Sequence, residues 1–319
     1  MGGGRGPGRR GGGPAAPADA QPTGDRRRSR LMETILRSRS REVVISADRP
    51  FVMIGERINP TGRKVLAAEM KAGVMDRVKA DAIAQVEAGA QMLDVNAGVP
   101  LADEPALLVA TIKAVNEVTD VPICIDSSVI EALEAALGAY EGKALVNSVT
   151  AEDERMDRIL PVVKKYGAAV IGMSNDETGI TMVPQERVEI ARRIIERAKY
   201  YGIPAEDVII DPIAMTVAAD PQAGLITLET MQLIKEQLGN NMTCGASNVS
   251  FGLPDRHILN AAFFSVAMHA GLTCAITNPL VLEVRKAVQA SDLLLGHDEY
   301  AMRWISAFRA DQKKAVAAP

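Results

Sequence analysis

Eight short apolar runs, rich in β-branched residues, recur along this chain, and they limit its fold more than any other feature. They are Phe51–Gly55, Met92–Val95, Pro122–Ile125, Ala144–Val146, Ala169–Met173, Val208–Ile210, Met242–Gly245 and Thr273–Ile276. Each is followed by a stretch with helical spacing. Val188, Ala191, Ile195, Ala198 and Tyr201 make one apolar stripe. Met156, Ile159, Leu160 and Val163 make a second, in a helix that Pro161 is expected to bend. Met75, Val78, Ala82 and Val86 make a third. Gly89, Gly167 and Gly202 sit where helices should end before the next strand. Continuous apolar strands alternating with helices imply a parallel sheet covered on both faces. Eight units in about 250 residues fit a closed (β/α)8 TIM barrel better than an open sheet. A short strand at Val43–Ser46 is expected to plug its N-terminal end.

The polar residues gather at one end of every predicted strand. In order, the strand ends read Glu56-Arg57-Ile58-Asn59, Asp94-Val95-Asn96, Asp126-Ser127-Ser128, Asn147-Ser148, Ser174-Asn175-Asp176, Asp211-Pro212, Ser247-Asn248 and Thr277-Asn278. In a β/α barrel this C-terminal face carries the active site. Asp, Asn and Ser are also the favoured helix caps, and Ser127, Ser128 and Ser174 are read that way. Asp94, Asn96, Asp126, Asn147, Asp211 and Asn248 exceed what capping needs, and their register points them into the mouth.

The same ends exclude several chemistries. They show no Gly-rich dinucleotide fingerprint and no P-loop, no cluster at metal-ligand spacing, and no lysine placed for a Schiff base. The remaining carboxylate acceptors and two-faced amides suit a pterin ring, which offers a 2-amino pyrimidinone edge. A carboxylate accepts two parallel hydrogen bonds from such an N–C–N edge, and an asparagine supplies a donor and an acceptor together. A purine or a sugar could use similar groups.

Six of these landmarks, taken in order, resemble the methyltetrahydrofolate:corrinoid/cobalamin methyltransferases of the pterin-binding superfamily, which also contains dihydropteroate synthase. They are Ile54-Gly55-Glu56-Arg57-Ile58-Asn59, Leu93-Asp94-Val95-Asn96, Cys124-Ile125-Asp126-Ser127, Val146-Asn147-Ser148, Ile210-Asp211-Pro212 and Ser247-Asn248-Val249-Ser250. The resemblance runs from about Phe51 to Phe308. It implies that Asp126, Asn147 and Asp211 hold the pterin ring, with Asp94 and Asn96 supporting the pocket. Asn248 is implied to reach N5 of the methyl donor, and Arg256 to face the folate tail. Asn248 and Asp126 are the expected catalytic pair.

The implied reaction moves the N5 methyl of 5-methyltetrahydrofolate to or from the cobalt of a corrinoid. N5 is a poor leaving group unless it gains a proton or a strong hydrogen bond. The strand ends offer no obvious acid there, so Asn248 is expected to stabilise the protonated amine through its carbonyl, with the proton arriving through water. Asp255-Arg256-His257 imitates the start of a corrinoid-binding motif, but Asn260 stands where that motif needs glycine. The corrinoid is therefore expected on a partner protein that docks over the barrel mouth. His269 and His297 are read as packing or surface residues. A homodimer is implied by resemblance alone. Dihydropteroate synthase is the rival enzyme, but it needs basic groups late in the barrel, and Ser247–Ser250 and Thr277–Pro279 supply none. A non-catalytic pterin-binding component is the other alternative.

Residues 1–31 differ from the rest. They hold nine of the 26 glycines, and seven arginines against two acids give a local charge of +5, leaving −9 for the remainder. Such a segment cannot bury enough apolar surface to fold, so a disordered tail is expected there. A lead-in follows over 32–50, then a single barrel domain over 51–310 and a C-terminal tail over 311–319. The overall charge of −4 suggests no nucleic-acid partner. No apolar run reaches the roughly 18 residues of a membrane span. Cys124, Cys244 and Cys274 lie in strand-like runs without C-x-x-C spacing. They are read as reduced core residues of a cytoplasmic protein, with no bound metal.

Overall fold

The computed structural model describes residues 1–4, 6 and 32–317. The chain divides into two compact units, Met1–Arg30 and Leu31–Pro319. The expectation for the first 31 residues falls largely outside the described ones. All the elements below belong to the second unit.

A short antiparallel hairpin comes first, β1 (Thr34–Arg37) with β2 (Glu42–Ile45), paired from Thr34↔Ile45 to Arg37↔Glu42. The barrel then runs β3 (Val52–Ile58), α1 (Lys64–Lys71), α2 (Asp76–Glu87), β4 (Met92–Asn96), α3 (Glu104–Val118), β5 (Ile123–Asp126), α4 (Ile130–Ala139), β6 (Leu145–Thr150) and α5 (Asp153–Tyr166). It continues with β7 (Ala169–Met173), α6 (Pro184–Tyr200), β8 (Val208–Asp211), α7 (Ala223–Gln237), α8 (Arg256–Ala270), β9 (Cys274–Thr277), α9 (Leu282–Leu294) and α10 (Met302–Ala317). Strands β3 to β9 form one parallel seven-stranded sheet in the order β8-β7-β6-β5-β4-β3-β9.

The expected strand Met242–Gly245 is not a regular strand. It turns at once into a 3-10 turn, Ala246–Ser250, so it makes only single bridges to its neighbours, Ile210↔Met242 and Gly245↔Ile276. Those bridges are enough to close the ring. Ile210 N donates to Asn241 O (2.9 Å) and Thr243 N to Ile210 O (3.0 Å) on the β8 side. Cys274 N donates to Met242 O (3.1 Å) and Ile276 N to Cys244 O (3.0 Å) on the β9 side. Helix α10 extends to Ala317, past residue 310, where the barrel was expected to end. Helix α5 runs through Pro161 without a break. Gly89, Gly167 and Gly202 all take positive φ at helix ends, as the pattern required.

Strand alternation divides the core in two. One parity set (Val52, Ile54, Met92, Cys124, Leu145, Ala169, Ile171, Ile209 and Cys274) fills the barrel interior. The opposite set, with Leu93, Val95, Ile123, Ile125, Val146, Val170, Val208 and Ile210, packs under the helices. Leu36 and Ile45 of the hairpin join the interior cluster and are fully buried. Asn241 Nδ2 ties the hairpin down by donating to Ile45 O (2.8 Å) and Thr34 Oγ1 (3.0 Å). The hairpin thus does what was expected of Val43–Ser46, and it plugs the end of the barrel that lies opposite the polar strand ends. Leu36→Ala removes part of the plug. We expect it to cost about 2–5 kcal/mol in urea unfolding and to leave the distant mouth unchanged.

Candidate functional site

The polar residues stand directly above the interior apolar ones because they share their parity. Met92 is followed by Asp94 and Asn96, Cys124 by Asp126, Leu145 by Asn147, and Ile209 by Asp211. Register then sets Asn96 beside Asp126 and Asp126 beside Asn147 across three neighbouring strands. Asn96 Nδ2 donates to Asp126 Oδ2 (3.1 Å), and Asn147 Nδ2 donates to Asp94 Oδ1 (3.1 Å). Asn96 Oδ1 accepts from Gly98 N (2.8 Å), which fixes its amide orientation. The structure therefore brings four of the predicted residues into one interlocked group.

Burial and like charge shape the ionisation of that group. Asp94 is 3% exposed, and its carboxyl is pushed well up, first by burial and then by the neighbouring Asp126. Asp126 is raised to about 6 by burial, with the Asn96 bond pulling it back. Two adjacent buried carboxylates do not ionise together readily. Asp94 is the more deeply buried of the two and is pushed up further, so the pair ionises more readily at Asp126.

Asp211 sits apart from this group at the end of β8. Its Oδ1 accepts from Ile213 N (2.7 Å), closing a tight turn in which Ile213 has φ 62°. Burial raises its carboxyl to about 7, against the opposing effects of that bond and of Arg187.

The segment after Gly245 brings in the other side of the mouth. Asn248 is exposed, and its side-chain amide has no hydrogen-bond partner among the described residues. Its backbone is held at both ends, by Asn248 N to Gly245 O (3.0 Å) and Phe251 N to Asn248 O (3.1 Å). Arg256 braces the same turn through Nη2 to Ser247 O (2.7 Å) and Nε to Ser250 Oγ (3.0 Å). Its guanidinium is thus engaged by the loop that carries Asn248.

Glu56 is the residue that motif reading undervalued. Ser247 Oγ reaches both of its carboxylate oxygens (3.3 and 3.4 Å), and burial raises its pKa, with the Ser247 bond, Arg57 and Arg256 opposing. A bulge in β3 puts it there: Gly55 pairs with Leu93 but Ile58 with Val95, so one extra residue is accommodated. Gln85, fully buried, accepts the Arg57 amide through Oε1 (2.8 Å) at the bulge. Gly55 is required for that approach, since a Cβ there would lie 2.5 Å from Gln85 Oε1. Spacing alone did not single Glu56 out, because the strand's alternation is interrupted between Gly55 and Ile58.

The serines do not cap helices. Ser127 Oγ accepts from Val129 N (3.0 Å) and donates to Glu104, forming a turn ahead of α4 whose own N-cap makes no side-chain bond. Ser174 is buried ten residues before α6, and its Oγ has no partner among the described residues. Ser128 offers only its carbonyl, to Arg155. His257 and His269 are exposed on α8, and His297 packs 3.5 Å from Asp292.

Residues 55–278 match the model of the pterin binding enzymes. The chain belongs to that family. A methylcorrinoid:tetrahydrofolate methyltransferase of Eubacterium limosum is 32% identical over 265 residues, covering 81% of this chain and 96% of that protein. Within the family, then, this chain is a methyltransferase. Dihydropteroate synthase of Xanthomonas albilineans superposes with a TM-score of 0.62 at 20% identity, over 82% of this chain and 98% of that one. The Yersinia pestis dihydropteroate synthase gives 0.56 at 18% identity over the same shares of each chain. These two likenesses establish the (β/α)8 fold that the strand count predicted. No described helix is long and apolar enough to cross a membrane.

Proposed function

We propose that this enzyme transfers a methyl group between N5 of tetrahydrofolate and a corrinoid carried by a partner protein. The observation that carries this reading is the pair of half-buried acceptors at the strand ends, Asp126 and Asp211, in a pterin-binding methyltransferase whose Asn248 amide has no partner among the described residues. Asp126 and Asp211, when ionised, accept the N–H donors of the pterin edge. Asn147 completes the ring contacts, while Asp94 and Asn96 hold Asn147 and Asp126 in place. Asn248 presents its carbonyl to a protonated N5, an interaction that strengthens as charge develops there. Arg256 acts by fixing the Ser247–Ser250 turn. Glu56 supplies what the strand-end motifs alone did not offer. Burial raises its pKa, so it takes up a proton more readily than a free glutamate, and its bond from Ser247 sets its carboxyl beside the turn that carries Asn248.

The corrinoid is a substrate in this reading, and the partner that carries it covers the mouth. The loops that follow the strands leave Leu101, Ile180, Val183, Phe251 and Leu280 exposed, Leu101 by 96%. An apolar rim around a polar pocket suits a protein partner that excludes water during transfer.

An anaerobic assay with 5-methyltetrahydrofolate and cob(I)alamin tests the reaction. Loss of the cob(I) absorbance with the wild type, and its absence in Asp126→Ala, is the expected result. Binding of 5-methyltetrahydrofolate with no transfer to cobalamin, free or protein-bound, would reduce the protein to a binding component. Absence of binding at any pH would end the folate reading.

A further inference from the structure

Arg187 is the largest fully buried side chain of the described residues, with no exposed surface at all. It lies in the first turns of α6, and its guanidinium fork is spent on backbone. Nε donates to Thr181 O (2.8 Å), and Nη1 to Pro212 O (2.8 Å) and Ile213 O (3.0 Å). Nη2 lies 3.3 Å from Met215 Sδ. Among the described residues no carboxylate forms an ion pair with it. A guanidinium cannot shed its proton, and burying it without a counter-charge is expensive. The carbonyls answer its hydrogen-bonding needs but not its charge. Asp211 is the acid whose field reaches it. The two carbonyls that Nη1 grips belong to the two residues after Asp211, and the amide of the second is the donor to Asp211 Oδ1.

We propose that Arg187 is a positioning residue for Asp211, clasping the turn that aims its carboxylate and supplying the buried positive charge opposite it. The inference rests on the folate reading for its purpose, because a pterin edge is bound by the ionised carboxylate. The other groups around Asp211 do not compete for this part. Cys244 on the closing segment and Cys274 on β9 face it, but burial pushes both thiols up, Cys274 to about 12, so both stay neutral. Ser174, just after β7, meets it through backbone, Ser174 N to Asp211 O (3.0 Å). Arg187 is the single charged side chain acting on Asp211 among the described residues.

The test uses Arg187→Met, Arg187→Lys and the wild type, with 5-methyltetrahydrofolate as the probe. Its affinity is titrated from pH 5.5 to 9. With Arg187→Met the pH midpoint should rise by about one unit, which makes binding at pH 7 about fivefold weaker and restores it near pH 9. Arg187→Lys keeps the charge but loses the fork, so its midpoint should stay while its affinity falls severalfold. Folded Arg187→Met with the wild-type midpoint overturns the inference. If Arg187→Met does not fold, the lysine variant decides, and wild-type affinity in it overturns the inference equally. A ligand-free readout separates this from the folate reading. The pH dependence of urea unfolding should extend above pH 8 in Arg187→Met, whereas in Asp211→Asn the part of it that lies near pH 7 should be lost. That series judges Arg187 even if the wild type binds no folate.

Discussion

Asp211→Asn should make the ligand-free protein more stable at pH 8 and nearly abolish its binding of 5-methyltetrahydrofolate. Burial lifts the carboxyl to about 7 in the folded chain, from the ordinary 3.8 of a free aspartate. Between those values the folded state holds a proton that the unfolded state has released, so Asp211 favours folding at low pH. That contribution is lost as pH rises from 3.8 toward 7, because the unfolded state is stabilised by ionising while the folded state keeps its proton. At about 1.4 kcal/mol per pH unit, the loss is on the order of 4 kcal/mol by pH 8. Asparagine keeps the acceptor for Ile213 N without the charge. The expected gain is several degrees in melting temperature at pH 8 and almost none at pH 4. The same change removes a charged acceptor from the pterin site, and binding should fall about a hundredfold or more. Thermal melts at both pH values, with and without the ligand, read both effects. Unchanged stability at pH 8, or ligand stabilisation equal to the wild type, would refute this account of Asp211.

Much of this could be read in the sequence because the barrel repeats one simple rule. Apolar runs followed by helical stripes gave the strands, and parity placed the polar residues above the interior. Asp94, Asn96, Asp126 and Asn147 were therefore identifiable before their contacts were known. What spacing cannot encode is which partner each side chain takes. That Asn96 serves Asp126 while Asn147 serves Asp94 depends on register between strands tens of residues apart. The closing segment 242–245 failed as a strand because the turn that carries Asn248 begins at Ala246.

Glu56 and Arg187 were missed for different reasons. Glu56 sits beside a bulge, and a count of two along β3 loses its meaning after Gly55. Arg187 lies on the face of α6 with Ala191, Ile194 and Ala198, all buried. A charged residue at i, with apolar partners at i+4, i+7 and i+11, signals burial. Arginine is so commonly a solvated helix residue that the signal has force only once a carboxylate is known to wait on the neighbouring strand. Buried charge in this mouth also has a shared logic. Asp94, Asp126, Asp211 and Glu56 are all pushed upward by burial, so the mouth tends toward neutrality. A ligand rich in N–H donors reverses that tendency, and its binding should take up the cost of ionisation.

Asn248→Ala should lower the rate of methyl transfer by about 10²–10³-fold and change ligand affinity little, the pattern seen when one donor or acceptor aimed at developing charge is removed. The argument begins from the backbone. Asn248 is fixed by its own turn and by Arg256 on Ser247, while its amide has no partner among the described residues. A free amide on a braced turn is preorganised and need not break a protein bond to meet its ligand. If it served the ground state, truncation would raise Kd and leave the single-turnover rate alone. If it stabilises the protonated N5, the rate falls and Kd hardly moves. Exposure of the side chain keeps folding out of the comparison, so the melting temperature should stay within a degree or so. Stopped-flow single turnovers with cob(I)alamin, set beside calorimetric binding of 5-methyltetrahydrofolate, separate the two cases. An unchanged rate, or a loss confined to Kd, would remove Asn248 from the chemistry and leave Glu56 as the mouth's candidate for assisting N5.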